Sequence, residues 1–501
     1  MKIQDFLKEH GLTSNPFSQE DAREDPVFKR GIADIYHPSW DKVFADPTDP
    51  ASAVVFGDKG SGKTALRLQM REAIAAWNAR RENDGRLVFL IDYDDFNPFL
   101  DCFCVKRGLK LSDWRLWDHM DAILSLGVRQ LVRLLIDGGD GGVLGSPDLR
   151  RRLRTLTRPE RRDLLLLAAA YDHAPETSRA TRWQRLRRRV RYRAWKAMYP
   201  WLAGWAGTIA VLAAIALLGR HFGPRALLGF VHEHAWAWAG LLLIPLAWVP
   251  HLWQQVRARR TGRSIARNVR VVECRGRELE RLLMHFARAD LEGQPIEQLQ
   301  GSDARYAMLS RLQAILHKLG YGSVVVLVDR VDEPHEVKGS AQAMFDLLRP
   351  IFDLKFLKHP QFGVKLLLPR ELHPYLERAP AEFHQRARLD KQNLIPSLLW
   401  TGQSLYDLAN DRIRRCSEAG TGGEPSLRNL LDAAIGDEEI IHCFDRMQIP
   451  RNLFKFMFQL LNNHCMDHTG DRPVQQVGRD TWVRTWATFD RDMKRATMME
   501  G

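Results

Sequence analysis

Eight consecutive residues, Gly57-Asp58-Lys59-Gly60-Ser61-Gly62-Lys63-Thr64, have the types and spacing of a loop that grips phosphate. Glycines let the backbone curl until successive N–H groups face one anion, and a helix starting directly after the loop adds its positive end. In that arrangement the Lys63 ammonium can reach the β- and γ-phosphates of a nucleoside triphosphate, and the Thr64 hydroxyl can bind Mg2+. ATP and Mg2+ are therefore the expected ligands, with residues 57–64 as the cradle. A second run, Val324-Val325-Val326-Leu327-Val328-Asp329-Arg330-Val331-Asp332-Glu333, ends an apolar stretch in acids. Ligands of open α/β sheets bind at the C-terminal ends of the strands, where such acids would lie. Asp329 is suited to hold Mg2+ through water, and Asp332 and Glu333 to orient or polarise an attacking water. The residues alone leave open which of the three acids does which. The expected catalytic set is Lys63, Asp332 and Glu333, and the expected metal set is Thr64 and Asp329.

These groups need a scaffold, and the flanking sequence supplies one. Residues 52–56 read as a buried strand, 64–78 as a helix with Leu66, Met70, Ile74 and Trp77 on one face, and 87–91 as a second buried strand closed by Asp92, Asp94 and Asp95. Strand, helix, strand at this spacing predicts a parallel α/β sheet. Further strands are expected at 322–328 and 363–368. Helices are expected at 116–136, 159–173, 264–290, 303–319, 397–416, 426–434 and 451–465, with glycine-rich breaks at 138–142 and 420–423.

Between the two chemical motifs the composition changes sharply. Tyr199 to Leu218 is 20 residues without a charge, and Trp236 to Trp253 is 18 residues without Asp, Glu, Lys or Arg. Those lengths match a hydrocarbon core. Trp201, Trp205, Trp236, Trp238 and Trp253 gather toward the ends, where amphipathic rings favour the interface, and Pro245 and Pro250 are tolerated better in lipid than in water. A helical pair buried in a soluble core is the competing explanation. The charge balance favours membrane. The chain of 501 residues carries a net +13, while residues 179–196 hold nine Lys/Arg and residues 254–270 six Arg, neither run with an acid. The remainder is close to neutral, which argues against a general nucleic-acid surface. By the positive-inside rule both basic flanks are cytoplasmic and the connector 219–235 lies outside; the flanks also suit anionic lipid headgroups. No apolar leader segment opens the chain. Six cysteines are too few for a disulfide scaffold, and neither Cys102 with Cys104 nor His464, Cys465 and His468 completes a zinc spacing.

The ending Asp329-Arg330-Val331-Asp332-Glu333 resembles the acidic motif of STAND signalling ATPases, which include the NACHT proteins. A membrane hairpin between the two nucleotide motifs resembles KAP-type P-loop NTPases, whose acidic motif usually reads closer to DDLDR. The resemblance covers roughly residues 50–95 and 320–370 and the placement of the insert. It implies an additional-strand sheet, ATP-driven switching, and a role in bacterial antiphage defence or membrane-linked signalling. It also implies that Arg370, just beyond strand 363–368, lies where such ATPases place a phosphate-sensing side chain; a solvated loop arginine is the alternative. Ile449-Pro450-Arg451-Asn452 resembles the start of their lid helix, so Arg451 could touch the γ-phosphate, or could simply follow proline at an ordinary helix start. Asn15-Pro16-Phe17 resembles the segment that packs near the base, or is a turn. Arg412, Arg414 and Arg415 could supply an arginine finger to a neighbour, but a solvated helix face is the expectation.

The expected organisation is an N-terminal segment (1–50), the first part of a P-loop core (51–115), a helical insertion with a basic flank (116–198), a transmembrane hairpin (199–253), a basic flank and helices (254–320), the second part of the core (321–396) and a helical C-terminal lid or effector region (397–501). The expected protein is a two-pass ATPase of the cytoplasmic membrane with its ATPase domain and both termini in the cytoplasm, acting as a conformational switch with protein partners or further copies of itself. An oligomeric membrane effector gated by ATP and a membrane-tethered ATPase associated with DNA are the alternatives.

Overall fold

A computed structural model describes residues 2–29, 35–80, 86–137, 146–173, 178–222, 235–295, 301–417, 425–468 and 474–500. Along the chain run β1 (Ala53–Gly57), α1 (Lys63–Arg80) and β2 (Leu87–Tyr93). There follow α2 (Leu116–Asp137), α3 (Arg158–Tyr171), α4 (Arg179–Arg189), α5 (Trp195–Phe222), α6 (Ala235–Asn268), α7 (Gly276–Leu283) and α8 (Gly301–Lys318). The chain continues through β3 (Tyr321–Val328), β4 (Phe362–Pro369) and β5 (Asn393–Ile395) to α9 (Gly402–Cys416), α10 (Asp437–Met447), α11 (Pro450–Asp467) and α12 (Arg479–Glu500). It divides into two compact units: Met1–Arg81, Arg86–Asp95 and Ser323–Gly501 form one, and Glu82–Gly85 with Phe96–Gly322 form the other. The second unit is thus an insertion between β2 and β3, and the first begins to yield to it at Phe96.

The first unit is built on a five-stranded, all-parallel sheet in the order β2-β3-β4-β1-β5. β4 lies between β1 and β3, pairing Val55 with Leu367 on one side and Val326 with Val364 on the other. Every residue of β1 and β4 is buried, as expected of strands covered on both faces. Lys365 is the exception to their apolar character. Its ammonium donates to the carbonyls of Val43 (2.6 Å), Phe44 (3.1 Å) and Ala51 (2.6 Å), tying the sheet to the segment that leads into β1. Burial pulls its pKa from 10.5 down to about 7. At the edge strand β2 the Asn78 carboxamide of α1 donates to Val88 O and accepts from Val88 N, at 2.9 and 2.7 Å, so a side chain takes the place of a neighbouring strand. The C-terminal helices form their own core, in which Leu405, Phe444, Leu453, Phe456 and Trp482 enclose Phe6, Leu7 and Phe17 of the N-terminal segment.

The second unit is helical among its described residues. α5 and α6 pack against each other: Trp248 Nε1 donates to Thr208 Oγ1 at 3.1 Å, and a side chain added at Gly204 would meet the Trp248 ring at 2.8 Å. Gln254 reaches Ala197 O at 3.5 Å, so contacts later in α6 fall earlier in α5 and the two run in opposite senses. Among the described residues one stretch, Trp195–Leu217, is long and apolar enough to cross a membrane, with a mean hydropathy of 1.7. Almost none of it is buried. Trp205, Ile209, Leu212 and Leu217 of α5 and Leu246 and Leu252 of α6 present their side chains to the outside. Most described apolar side chains of these two helices are thus not buried within the chain.

Three expectations need correction. Residues 264–290 are not one helix. α6 runs on to Asn268, and α7 begins only at Gly276. The β-branched Val269, Val271 and Val272 favour leaving the helix, and arginines take its last carbonyls: Arg107 bonds Ala266 O, Arg267 O and Val269 O, and Arg305 bonds Asn268 O. The expected helix 426–434 is a single turn, Leu427–Leu430, after which the chain makes a bridge at Leu431 to Val477. Within 397–416 the helix starts only at Gly402, with Thr401 as its cap. The glycine-rich breaks 138–142 and 420–423 lie outside the described residues, as does most of the connector 219–235.

Candidate functional site

The glycine-rich loop links the end of β1 to the start of α1. Gly60 and Gly62 have φ of +92° and +99°, which side-chain-bearing residues rarely adopt. At Gly60 a second constraint applies: a Cβ there would lie 2.6 Å from Arg451 Cβ. The start of α11 is thus pressed onto the loop, and Arg451 N donates to Gly60 O at 3.4 Å. Trp400 Nε1 donates to Ser61 O at 2.9 Å and holds the loop from the other end. Lys63 opens α1, and its ammonium donates to Gly57 O (2.6 Å) and Asp58 O (3.0 Å). Burial lowers its pKa, while the charges of Asp329 and Asp332 oppose that shift.

Asp329 follows the last residue of β3 and is buried. Its Oδ2 accepts from Thr64 Oγ1 at 3.3 Å, although 265 positions separate the two residues. Burial raises the Asp329 pKa, and Arg67, then the Arg330 backbone, Lys63 and Thr64, pull it back. Arg67 is one helical turn beyond Lys63 on α1. Its Nε lies 3.5 Å from Asp329 Oδ2, and its other end pairs with Asp94 at the close of β2. Just past Asp329 the backbone enters the left-handed region at Arg330 (φ +62°), whose guanidinium pairs with Glu333. Asp332 and Glu333 both face the same cleft as Lys63, Thr64 and Asp329. A hydroxyl and a carboxylate on adjacent faces suit Mg2+, which keeps most of its ligands as water or phosphate oxygen. Among the described residues no cluster of three or more His, Cys, Asp or Glu could hold a metal by itself.

The cleft has a volume of about 410 Å3. One wall is the loop with Lys59, Gly60, Gly62, Lys63 and Thr64; another is Asp329–Glu333; the rest comes from the N-terminal segment (Glu20–Phe28, Ile35, His37), Trp400, α9 and the start of α11. Of the remaining expected residues, Arg451 lines the cleft and its Nε lies 3.3 Å from Glu20 Oε2. Arg370 pairs with Asp58 of the loop at 3.2 Å and is not among the residues that line the cleft. Asn15-Pro16-Phe17 is both a turn and a packing element: Asn15 Oδ1 accepts from Phe17 N at 2.9 Å, and Phe17 is buried beside Phe454 of α11.

Arg412 overturns the expectation of a solvated helix face. It is buried, donates to Pro16 O at 2.7 Å, pairs with Asp25 at 2.5 Å, and stacks 4.3 Å from the Phe454 ring. Arg415 pairs with Asp411 at 2.7 Å, which leaves Arg414 the more exposed of the three. The reason is long-range: the partners lie near the N-terminus, and α9 receives them on that face.

Sequence reasoning missed Arg67, Trp400 and the Asp25–Arg412 pair. Arg67 had a signal, since a residue four after Lys63 on a helix shares its face. The other residues meet across hundreds of positions and leave no local pattern. All six cysteines are free. No family model, no curated protein and no solved structure matches the chain.

A direct consequence concerns Gly60. Alanine there adds a strained φ and a methyl overlapping Arg451 Cβ, which cannot swing away as a side-chain tip would. If the loop cradles a nucleotide as its sequence leads one to expect, Gly60→Ala should weaken that binding about tenfold by displacing α11 from the loop, measured by fluorescent-nucleotide titration. An unchanged affinity would mean that this contact does not govern the site.

Proposed function

We propose that this chain is an ATP-binding and ATP-hydrolysing P-loop enzyme of the additional-strand class, carried on a membrane by α5 and α6. The observation that supports it most is the meeting of Thr64 and Asp329 at 3.3 Å, where the glycine-rich loop and the acid-ended strand converge. The strand order, with β4 between β1 and β3, also supports the additional-strand reading and the KAP- and STAND-like resemblance. In this reading residues 57–64 cradle the phosphates of ATP, Lys63 neutralises the β- and γ-phosphate charge, and Thr64 with Asp329 holds Mg2+. Glu333 or Asp332 orients the attacking water, with Arg330 fixing Glu333. Arg451, on the opening turn of α11, stands beside the loop where it can sense a γ-phosphate, and Arg370, paired with Asp58 of the loop, is the second candidate for that role. Because α9, α11 and the N-terminal segment close one cleft with the loop, ATP binding would order the C-terminal helices and hydrolysis would release them: a switch. Bacterial defence or membrane signalling is the role the resemblance suggests.

The test is hydrolysis and binding measured side by side. Glu333→Gln is expected to retain ATP while slowing turnover at least about tenfold. A chain that neither binds nor hydrolyses ATP with Mg2+ present would end this reading.

The membrane part of the proposal is supported by the uncovered apolar side chains of α5 and α6 and by the basic runs at their outer ends. Ala213 on α5 is exposed. Ala213→Arg is expected to cost about 2.5–3.5 kcal/mol of insertion free energy and to move chain into the carbonate-soluble fraction. A parent chain that is itself carbonate-soluble would refute the anchor. A reporter placed in the connector at Gly223 should be extracytoplasmic.

A further inference from the structure

A second cavity, of about 260 Å3, lies at the root of α5 and α6 within the inserted unit. Its position along the helices is informative. Lys196 and Pro200 bracket the start of the first charge-free stretch, and Trp253 and Arg257 bracket the end of the second. The cavity therefore sits at the level where a hydrocarbon core would give way to headgroups, a statement that rests on the membrane reading above. Its walls are of two kinds. Val249, Leu283, Phe286 and Leu291 are apolar, whereas Lys196, Arg257 and Arg288 are cationic.

Lys196 is exposed. Arg288 pairs with Glu292 at 3.7 Å, and both side chains are largely exposed, so the pair screens little of the guanidinium charge. Arg257 is already engaged, with Glu292 at 3.9 Å among its partners, and completes the cationic wall. Arg288 also stacks over the Trp253 ring at 5.3 Å, which fixes the guanidinium beside an interfacial aromatic. Gln254 adds a separate observation. Its Nε2 faces three carbonyls, of Ala197 (3.5 Å), Met284 (3.4 Å) and Phe286 (3.3 Å), which sets the carboxamide orientation. Its Oε1 is buried and receives no hydrogen bond. An orphan acceptor of this kind carries a cost that a ligand hydroxyl would remove.

We infer that this cavity binds the headgroup of an anionic phospholipid, its phosphate held by Lys196, Arg257 and Arg288, its hydroxyl donated to Gln254 Oε1, and the first carbons of its acyl chains laid against Val249 and Leu291. At about 260 Å3 the cavity has room for a glycerophosphate headgroup. Juxtamembrane cations gain about 1 kcal/mol each near an anionic surface even without a pocket. The cavity adds selectivity for one headgroup to that general attraction.

The experiment is calorimetric titration of the full detergent-purified chain with dihexanoyl phosphatidylglycerol, dihexanoyl phosphatidylcholine and glycerol phosphate. Phosphatidylglycerol is expected to bind at least about tenfold more tightly than either of the others. Replacing Lys196, Arg257 and Arg288 together by glutamine should weaken it by about a hundredfold, and Lys196→Gln alone, at an exposed position, by about fivefold. A control set that removes equal charge outside the cavity, Arg185→Gln, Arg189→Gln and Arg193→Gln, should change it less than about threefold. Equal responses of the two sets would show surface attraction only, and equal binding of glycerol phosphate would show a free-phosphate site; either overturns the inference. Carbonate extraction separates this failure from the other: a chain that stays in the membrane but shows no headgroup preference loses only the lipid site, whereas a chain released from the membrane loses the anchor itself.

Discussion

Lys63→Ala is expected to lower ATP turnover by about a thousandfold or more, a loss of roughly 4 kcal/mol of transition-state stabilisation. The ammonium is held within the curl of the loop by Gly57 O and Asp58 O, and the nearby Asp329 and Asp332 favour its charge. On the proposed reading a γ-phosphate would exchange with those carbonyls for the same three donors. Lys59 provides the control. It belongs to the same loop and lines the same cleft, but its side chain is exposed. Lys59→Ala should therefore cost less than about tenfold. Alanine is a better helix former than lysine at the first turn of α1, so the loss should not come from unfolding, and an unchanged circular dichroism melt would verify that. If Lys63→Ala hydrolyses ATP within about threefold of the parent, phosphate does not bind where the loop suggests.

This contrast shows what kind of feature the sequence makes legible. The loop could be read from residue types because its function is backbone geometry, and only glycine reaches a φ near +90° cheaply; Gly60 and Gly62 have that conformation. β1 and β3 were legible because strands buried on both faces need unbroken apolar runs. Asp329 was legible because it ends such a run. β5 was not, since three residues, Asn393–Ile395, are too short to show a period. The basic flank after residue 253 read as a separate segment, whereas α6 continues through it from Ala235 to Asn268: a change in composition marks a change in solvent, not a helix end. α12 was overlooked although Trp482, Trp486 and Phe489 are spaced like one helix face, because the surrounding charges obscured them. The cleft wall made by the N-terminal segment was the least accessible part. The Asp25–Arg412 pair spans 387 positions, and neither residue is unusual in its own neighbourhood.

The buried ion network of the inserted unit shares that property and leads to the largest expected stability effect. Arg305 on α8 and Asp121 on α2 are almost fully buried. Arg305 Nε and Nη2 donate to the two carboxylate oxygens at 3.1 and 2.9 Å, and Tyr171 of α3 donates to Oδ1 at 2.8 Å. The guanidinium also donates to Asn268 O, the last residue of α6, at 2.9 Å. One side chain therefore joins three helices of the bundle to the root of an apolar helix. Arg305→Met should destabilise this unit by about 3–5 kcal/mol, because it strands a buried carboxylate. The pH dependence of that loss has a definite sign. Burial already raises the Asp121 pKa, and Arg305 is the main opposing influence. Without it the folded-state pKa rises further above the unfolded 3.8, so the folded form takes up the proton first and the deficit shrinks as pH falls from 7 toward 4. Replacing the whole network, with Arg305→Met, Asp121→Leu and Tyr171→Phe together, should recover most of the stability, since no charge is left unpaired. Pulse proteolysis of the full chain, following fragments from the inserted unit, reads both effects. A loss below about 1 kcal/mol in the single variant, or no recovery in the triple, would mean that packing around these helices, rather than the ion network, holds the base of α6 in place.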